Sequence, residues 1–152
     1  MNDNYLFSFL LYFLIAGCNS HQKPSESYFP KNFDEVSQIK YVQYIIQGKI
    51  LYRSNCSHCH QHSGEGFRKL YPALIKSTTL MGNIGSAACL IKYGTKRSEK
   101  SSNLNILMPA QSELSNLEIA EILTYIGNSW GNQIGFISVN NVSKYLVDCT
   151  PN

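Results

Sequence analysis

Charge is scarce in this sequence. Only 15% of its 152 residues are charged and the net charge is +3. No arginine-rich stripe with interleaved aromatics occurs, so the basic footprint of a nucleic-acid binder is missing. No segment repeats internally, and the length suits one domain. No apolar run reaches the roughly 20 residues that a membrane-spanning helix needs. Between the helical segments described below there is no run of alternating apolar residues, which argues against strands. Zinc-finger spacing is also lacking: beyond one Cys pair, Cys89 and Cys149 each stand alone. What is present is apolar content of 43%, enough for a packed core and too much for a disordered chain.

The longest apolar run is "YLFSFLLYFLIAG", Tyr5 to Gly17, 13 residues without a charge. That is signal-peptide length. It ends in "LIAGC", which resembles a bacterial lipobox and implies cleavage before Cys18 with lipid on that cysteine. The n-region "MNDN" departs from the pattern, since it has no Lys or Arg and carries Asp3. Several acyl chains anchor a protein where one does not, at about 0.8 kcal/mol per buried CH₂. The expectation is a lipoprotein signal over 1–17, a Pro-containing polar tether over 18–33, and a domain over 34–152 with a C-terminal tail at 132–152. The domain is then exported and lipid-anchored, on the periplasmic or outer-membrane side.

Two helices bracket the domain. In "VQYIIQGKILYRSN", Ile45, Gly48 and Tyr52 share a face at spacings of three and four. Ser115 with Glu118 three residues on is a capping-box signature. After it, Ile119, Ile122, Leu123 and Ile126 form a helical stripe, with Gly131 as a stop after Trp130 and Gly127 a weak point within. Turn signals at "SGEG", "MGNIG" and "YGT" break the chain between them. The class expected is all-α, with short helices and long loops.

The chemistry sits in "NCSHCHQHSGEG", which packs Cys56, Cys59, His58, His60 and His62 into seven positions. C-x-x-C-H is the attachment pattern for a c-type haem. Two thiols three residues apart can each add to one vinyl group of a single porphyrin, and the next residue then lies under the iron. That register selects His60 as proximal ligand and leaves His58 and His62 as exposed polar residues. Zinc held by Cys56, Cys59 and one histidine is the rival, but a closed site wants a second ligand pair. A Cys56–Cys59 disulfide would leave His60 unexplained.

With "GKILYRSNCSHCH", "YPAL", "MPAQSELSNLEIAEILTYI" and "SWGN" in that order, the chain resembles the class I cytochromes c over about residues 43–131. Within that family it is most similar to monohaem domains that partner bacterial dehydrogenases and terminal reductases. The resemblance implies three to five short helices wrapped around one covalently bound haem c. It also implies close contact of the two terminal helices at Gly48, Tyr52, Ile122 and Tyr125. Candidates for the sixth ligand are Met81, Met108, His58, His62 and His21. "LMPAQ" matches the family's distal motif and picks Met108. Pro109 biases Met108 toward an extended conformation, so that its side chain projects from a loop. Met81 reads as a gap-filling core methionine. The carbonyl of Pro72, in "YPAL", is implied as acceptor for the second ring N–H of His60.

Two strong protein ligands leave no open coordination position, and thioether with imidazole raises the potential of haem iron. The reading is therefore a one-electron carrier in a respiratory chain and not an enzyme in itself. Its partners would be a dehydrogenase or quinol-oxidising complex and a terminal oxidase or reductase, with no nucleic acid. A cytochrome subunit permanently docked in an enzyme complex is an alternative. So is a haem sensor or peroxidase-like module whose methionine leaves. Two features remain. Cys89 and Cys149 are candidates for a disulfide in an oxidising compartment. Arg68, Lys69, Lys76, Lys92, Lys96, Arg97 and Lys100 cluster between the motifs as a candidate docking rim.

Overall fold

The computed structural model describes residues 34–68, 70–95 and 107–149. The lipid site expected at Cys18, the leader 1–17, the tether 18–33, His21, Lys69, Lys96, Arg97 and Lys100 lie outside the described residues. Among those described, six helices form: α1 (Glu35–Asn55), α2 (Ser57–His60), α3 (Thr78–Gly82), α4 (Ile84–Tyr93), α5 (Asn116–Gly127) and α6 (Val139–Val147). There is no strand among them, only an isolated bridge between Phe67 and Tyr71. The all-α class holds. The helices outnumber the expected three to five because α2 and α3 are about single turns, and α1, at 21 residues, is not short.

The Asp34 carboxylate opens α1 by accepting from the Ser37 N–H at 3.0 Å. Tyr41, Tyr44, Gly48 and Tyr52 recur at helical spacing and are buried. They face α5, which is buried nearly all round from Ile119 to Gly127. The two helices touch backbone to backbone at Gly48, where a side chain would run into the Glu121 carbonyl. Tyr52, Tyr125 and Trp130 close one side of this crossing, with ring centroids 5.3–5.6 Å apart.

The start of α5 is as expected: Ser115 caps the Glu118 N–H, and the Glu118 carboxylate returns to the Ser115 N–H at 2.8 Å. Its end differs. The helix stops at Gly127 rather than near Trp130. The Asn128 side chain donates to the Thr124 and Gly135 carbonyls at 2.7 and 2.8 Å and accepts from the Gly135 N–H, which draws the following chain back across the helix. The C-terminal segment is also more than a tail. α6 has its own capping box at Ser138 and Asn141, buries Val142, and packs on α4 and α5. A disulfide joins Cys149 just past α6 to Cys89 in α4, with Cα atoms 5.7 Å apart.

Candidate functional site

The site grows from the end of α1. Tyr52 is fully buried in the last turns of that helix, and its hydroxyl donates to the Gln61 carbonyl at 2.5 Å. This reaches across α2 and holds the chain just where it leaves His60 with Gln61 in a left-handed conformation (φ 64°). The chain then doubles back. The Gly66 N–H bonds to the His60 carbonyl at 3.0 Å and the Leu74 N–H to the Gly64 carbonyl at 2.7 Å. The reversal carries Pro72 to His60, whose ring Nδ1 lies 2.9 Å from the Pro72 carbonyl oxygen. A carbonyl can only accept, so Nδ1 carries the proton and Nε2 is left as the basic nitrogen.

A second buried polar group fixes this loop from behind. The Asn132 amide donates to the carbonyls of Leu74 and Ile126 at 3.1 and 2.9 Å and accepts from the Lys76 N–H at 3.0 Å. The Pro72 segment is thereby tied to α5.

Met108 comes from the other direction, on the irregular strap 107–114. Thr95 grips its backbone twice: the Met108 N–H donates to Thr95 Oγ1 at 2.8 Å, and the Thr95 N–H donates to the Met108 carbonyl at 3.0 Å. The strap passes so close to Gly94 (φ 72°) that any Cβ there would strike the Met108, Pro109 and Ala110 backbone.

Between these parts lies a cleft with two adjoining lobes, of about 690 and 800 Å³ including space open to solvent. Cys56, His60, Pro72, Leu90, Ile91 and Met108 line both lobes, and Cys59 lines one. The remaining walls are mostly apolar, among them Leu74, Leu80, Ile122 and Ile126. Cys56 and Cys59 are free thiols. Burial, and next the neighbouring Cys59, push the Cys56 thiol up to about 11, so it is protonated at neutral pH. An apolar slot with two thiols, a tautomer-fixed imidazole and a thioether fits a covalently held haem. Among the described residues no three His, Cys, Asp or Glu side chains converge on one point, so the zinc alternative finds no ligand set.

The other sequence candidates fall elsewhere. His58 and His62 are exposed. Met81 is 47% exposed, which corrects the expectation of a core methionine: α3 is one turn long and turns that residue outward. Of the candidate docking cations, Lys76 is exposed and Arg68 stacks over the Phe67 ring at 5.5 Å. Lys92 faces inward, donating to the carbonyls of Ser112 and Leu114 at 2.7 and 2.8 Å. Sequence reasoning missed Thr95, the bonds by which Lys92 holds the strap, and the holding bonds of Tyr52 and Asn132. Only the place of Asn132 in "SWGN" offered a signal.

The family model for cytochrome c matches residues 45–130, more than half of the chain. The cytochrome c subunit of a quinone-dependent alcohol dehydrogenase from Gluconobacter oxydans (strain 621H) is 26% identical over 108 residues. That alignment takes in 68% of this chain and 23% of the relative, so the chain spans about a quarter of that protein's length. The family match falls on the segment that builds the cleft, from α1 through α5, and with it the chain belongs to the cytochrome c family, electron carriers that bind haem c covalently.

Proposed function

We propose that this chain is an extracytoplasmic, lipid-anchored carrier of one electron at a time, with a single haem c ligated by His60 and Met108, working in a respiratory chain. The observation that carries the reading is the cleft: His60, with its Nδ1 bonded to Pro72, and Met108 line it together. One-electron exchange between Fe(III) and Fe(II) is the chemistry that haem c supplies when bound. The chain's own residues do the rest. Cys56 and Cys59 are the attachment thiols. Pro72 orients His60 through the shared N–H. Thr95 and Gly94 hold the Met108 backbone at the cleft. Leu74, Leu80, Ile122 and Ile126 keep water from that pocket.

The run Tyr5–Gly17 followed by Cys18 supports export and lipid anchoring. The alcohol dehydrogenase relative supports a dehydrogenase as the electron donor. A quinol-oxidising complex as a second source and a terminal oxidase or reductase as acceptor complete the proposed chain. The role of that relative, a subunit, also favours the second reading, in which the chain stays docked in an enzyme complex. Co-elution with a dehydrogenase at high salt would distinguish the two.

The test of the site is optical. After acid–acetone extraction the haem should stay with the protein, and the oxidised protein should be low-spin with a weak near-infrared methionine–iron band. Met108→Ala should lose that band and lower the reduction potential. A band that survives in Met108→Ala excludes Met108, and haem that leaves on extraction excludes the thioether bonds.

A further inference from the structure

We infer that Lys92 is a positioning residue for Met108: its ammonium latches the far end of the strap to α4 and so keeps the thioether in the cleft. The inference rests on the reading of Met108 as the sixth ligand.

Between Leu107 and Leu114 the strap has neither helix nor strand of its own. Its backbone is held from the C-terminal end of α4 by a short series of bonds. Thr95 takes the N–H and the carbonyl of Met108. The Ile91 carbonyl accepts from the Gln111 N–H at 2.9 Å. Lys92, in the last turn of α4, then donates to the Ser112 and Leu114 carbonyls. Thr95 acts at Met108 itself, and Gln111 three residues later. Lys92 acts four and six residues beyond Met108, at the junction with the Ser115 cap of α5. It therefore closes the strap against α4, the helix that ends two residues before the Thr95 grip on Met108.

The chemistry suits a lysine. Two backbone carbonyls converge on one nitrogen, and an ammonium has three donors on a single compact charge. Both bonds are short and charge-assisted. This use of Lys92 also withdraws it from the candidate docking rim, since its donors point at the strap.

Loosening the latch should raise the population of molecules in which Met108 has left its place. An added ligand that needs the vacated position reads that population directly, because its apparent affinity scales with the competent fraction. The probe is imidazole, titrated into the oxidised, haem-loaded protein while the near-infrared methionine–iron band is followed. Lys92→Met should bind imidazole about tenfold more tightly than wild type, equivalent to about 1.4 kcal/mol. Lys92→Arg, which still donates, should stay within about threefold of wild type. Val142→Ala, a cavity in α6 remote from the strap, should lower thermal stability and leave imidazole binding unchanged. Equal affinities in wild type and Lys92→Met overturn the latch. So does tightening in Val142→Ala as large as in Lys92→Met, since that would reflect general loosening. Should Lys92→Met not accumulate, Lys92→Gln carries the same comparison. A wild type without the band refutes the Met108 reading itself, and is distinguishable from failure of Lys92 alone.

Discussion

Replacing Gly48 by Ala sets two known effects against each other, and the sign of the result tests the helix crossing. In an unobstructed helix the change stabilises by about 1 kcal/mol, because Gly is the costlier residue there. Here the new Cβ would lie 2.6 Å from the carbonyl carbon of Glu121 and 2.8 Å from the Tyr125 Cβ, and would overlap the Glu121 oxygen. Ordinary carbon contacts sit at about 3.5–4.0 Å, so α1 must withdraw by roughly 1 Å from α5. None of the obstructing atoms is the tip of a side chain that could swing aside. Overpacking of this kind costs typically 1–3 kcal/mol, and a rigid backbone neighbour places it near 3. The net loss is then about 2 kcal/mol. For a domain of this size each kcal/mol moves Tm by about 4 °C, which gives a fall of about 8 °C. The assay is thermal unfolding of the haem-loaded protein by far-ultraviolet circular dichroism, with Gln47→Ala at the neighbouring exposed position as reference. A Tm for Gly48→Ala equal to or above wild type would refute the close crossing.

Two further outcomes follow from the same packing. The Cys89–Cys149 disulfide closes a loop of 60 residues, so the chain-entropy model puts the loss in Cys149→Ser at about 4 kcal/mol as an upper figure; an unchanged urea midpoint would show that α6 needs no clip. Glu121 has its carboxyl raised above the ordinary value, by burial first and by Glu118 second. An acid raised in the folded state costs stability when ionised, and the cost vanishes as pH falls below its unfolded pKa. Glu121→Gln should therefore raise Tm near pH 7, and the gain should fade below about pH 4; a gain of the same size in acid would contradict this.

Some parts of the molecule can be read along the chain and others only across it. The attachment motif, the Ser115–Glu118 cap and the stripe of α5 are local, and each is written within a few residues. The strap is not local. Lys92 lies 20 and 22 residues from the carbonyls it bonds, and Asn132 lies 58 from Leu74. Such partnerships depend on how loops return, which spacing does not encode. The helix α1 shows a subtler limit. Ile39, Ile46 and Ile50 are 55%, 57% and 53% exposed, and all three stand on the face opposite Gly48. Apolar residues thus occupy both sides of the helix, and hydrophobic period alone cannot say which side is inside. The glycine can, because a residue without Cβ in mid-helix weakens it and is repaid only where another backbone comes close. The tyrosines at 41, 44 and 52 share that face, and Tyr52 places its polar tip on Gln61. The buried side of α1 is therefore marked by a glycine that weakens the helix and by aromatics that need a partner, while three of its isoleucines face outward.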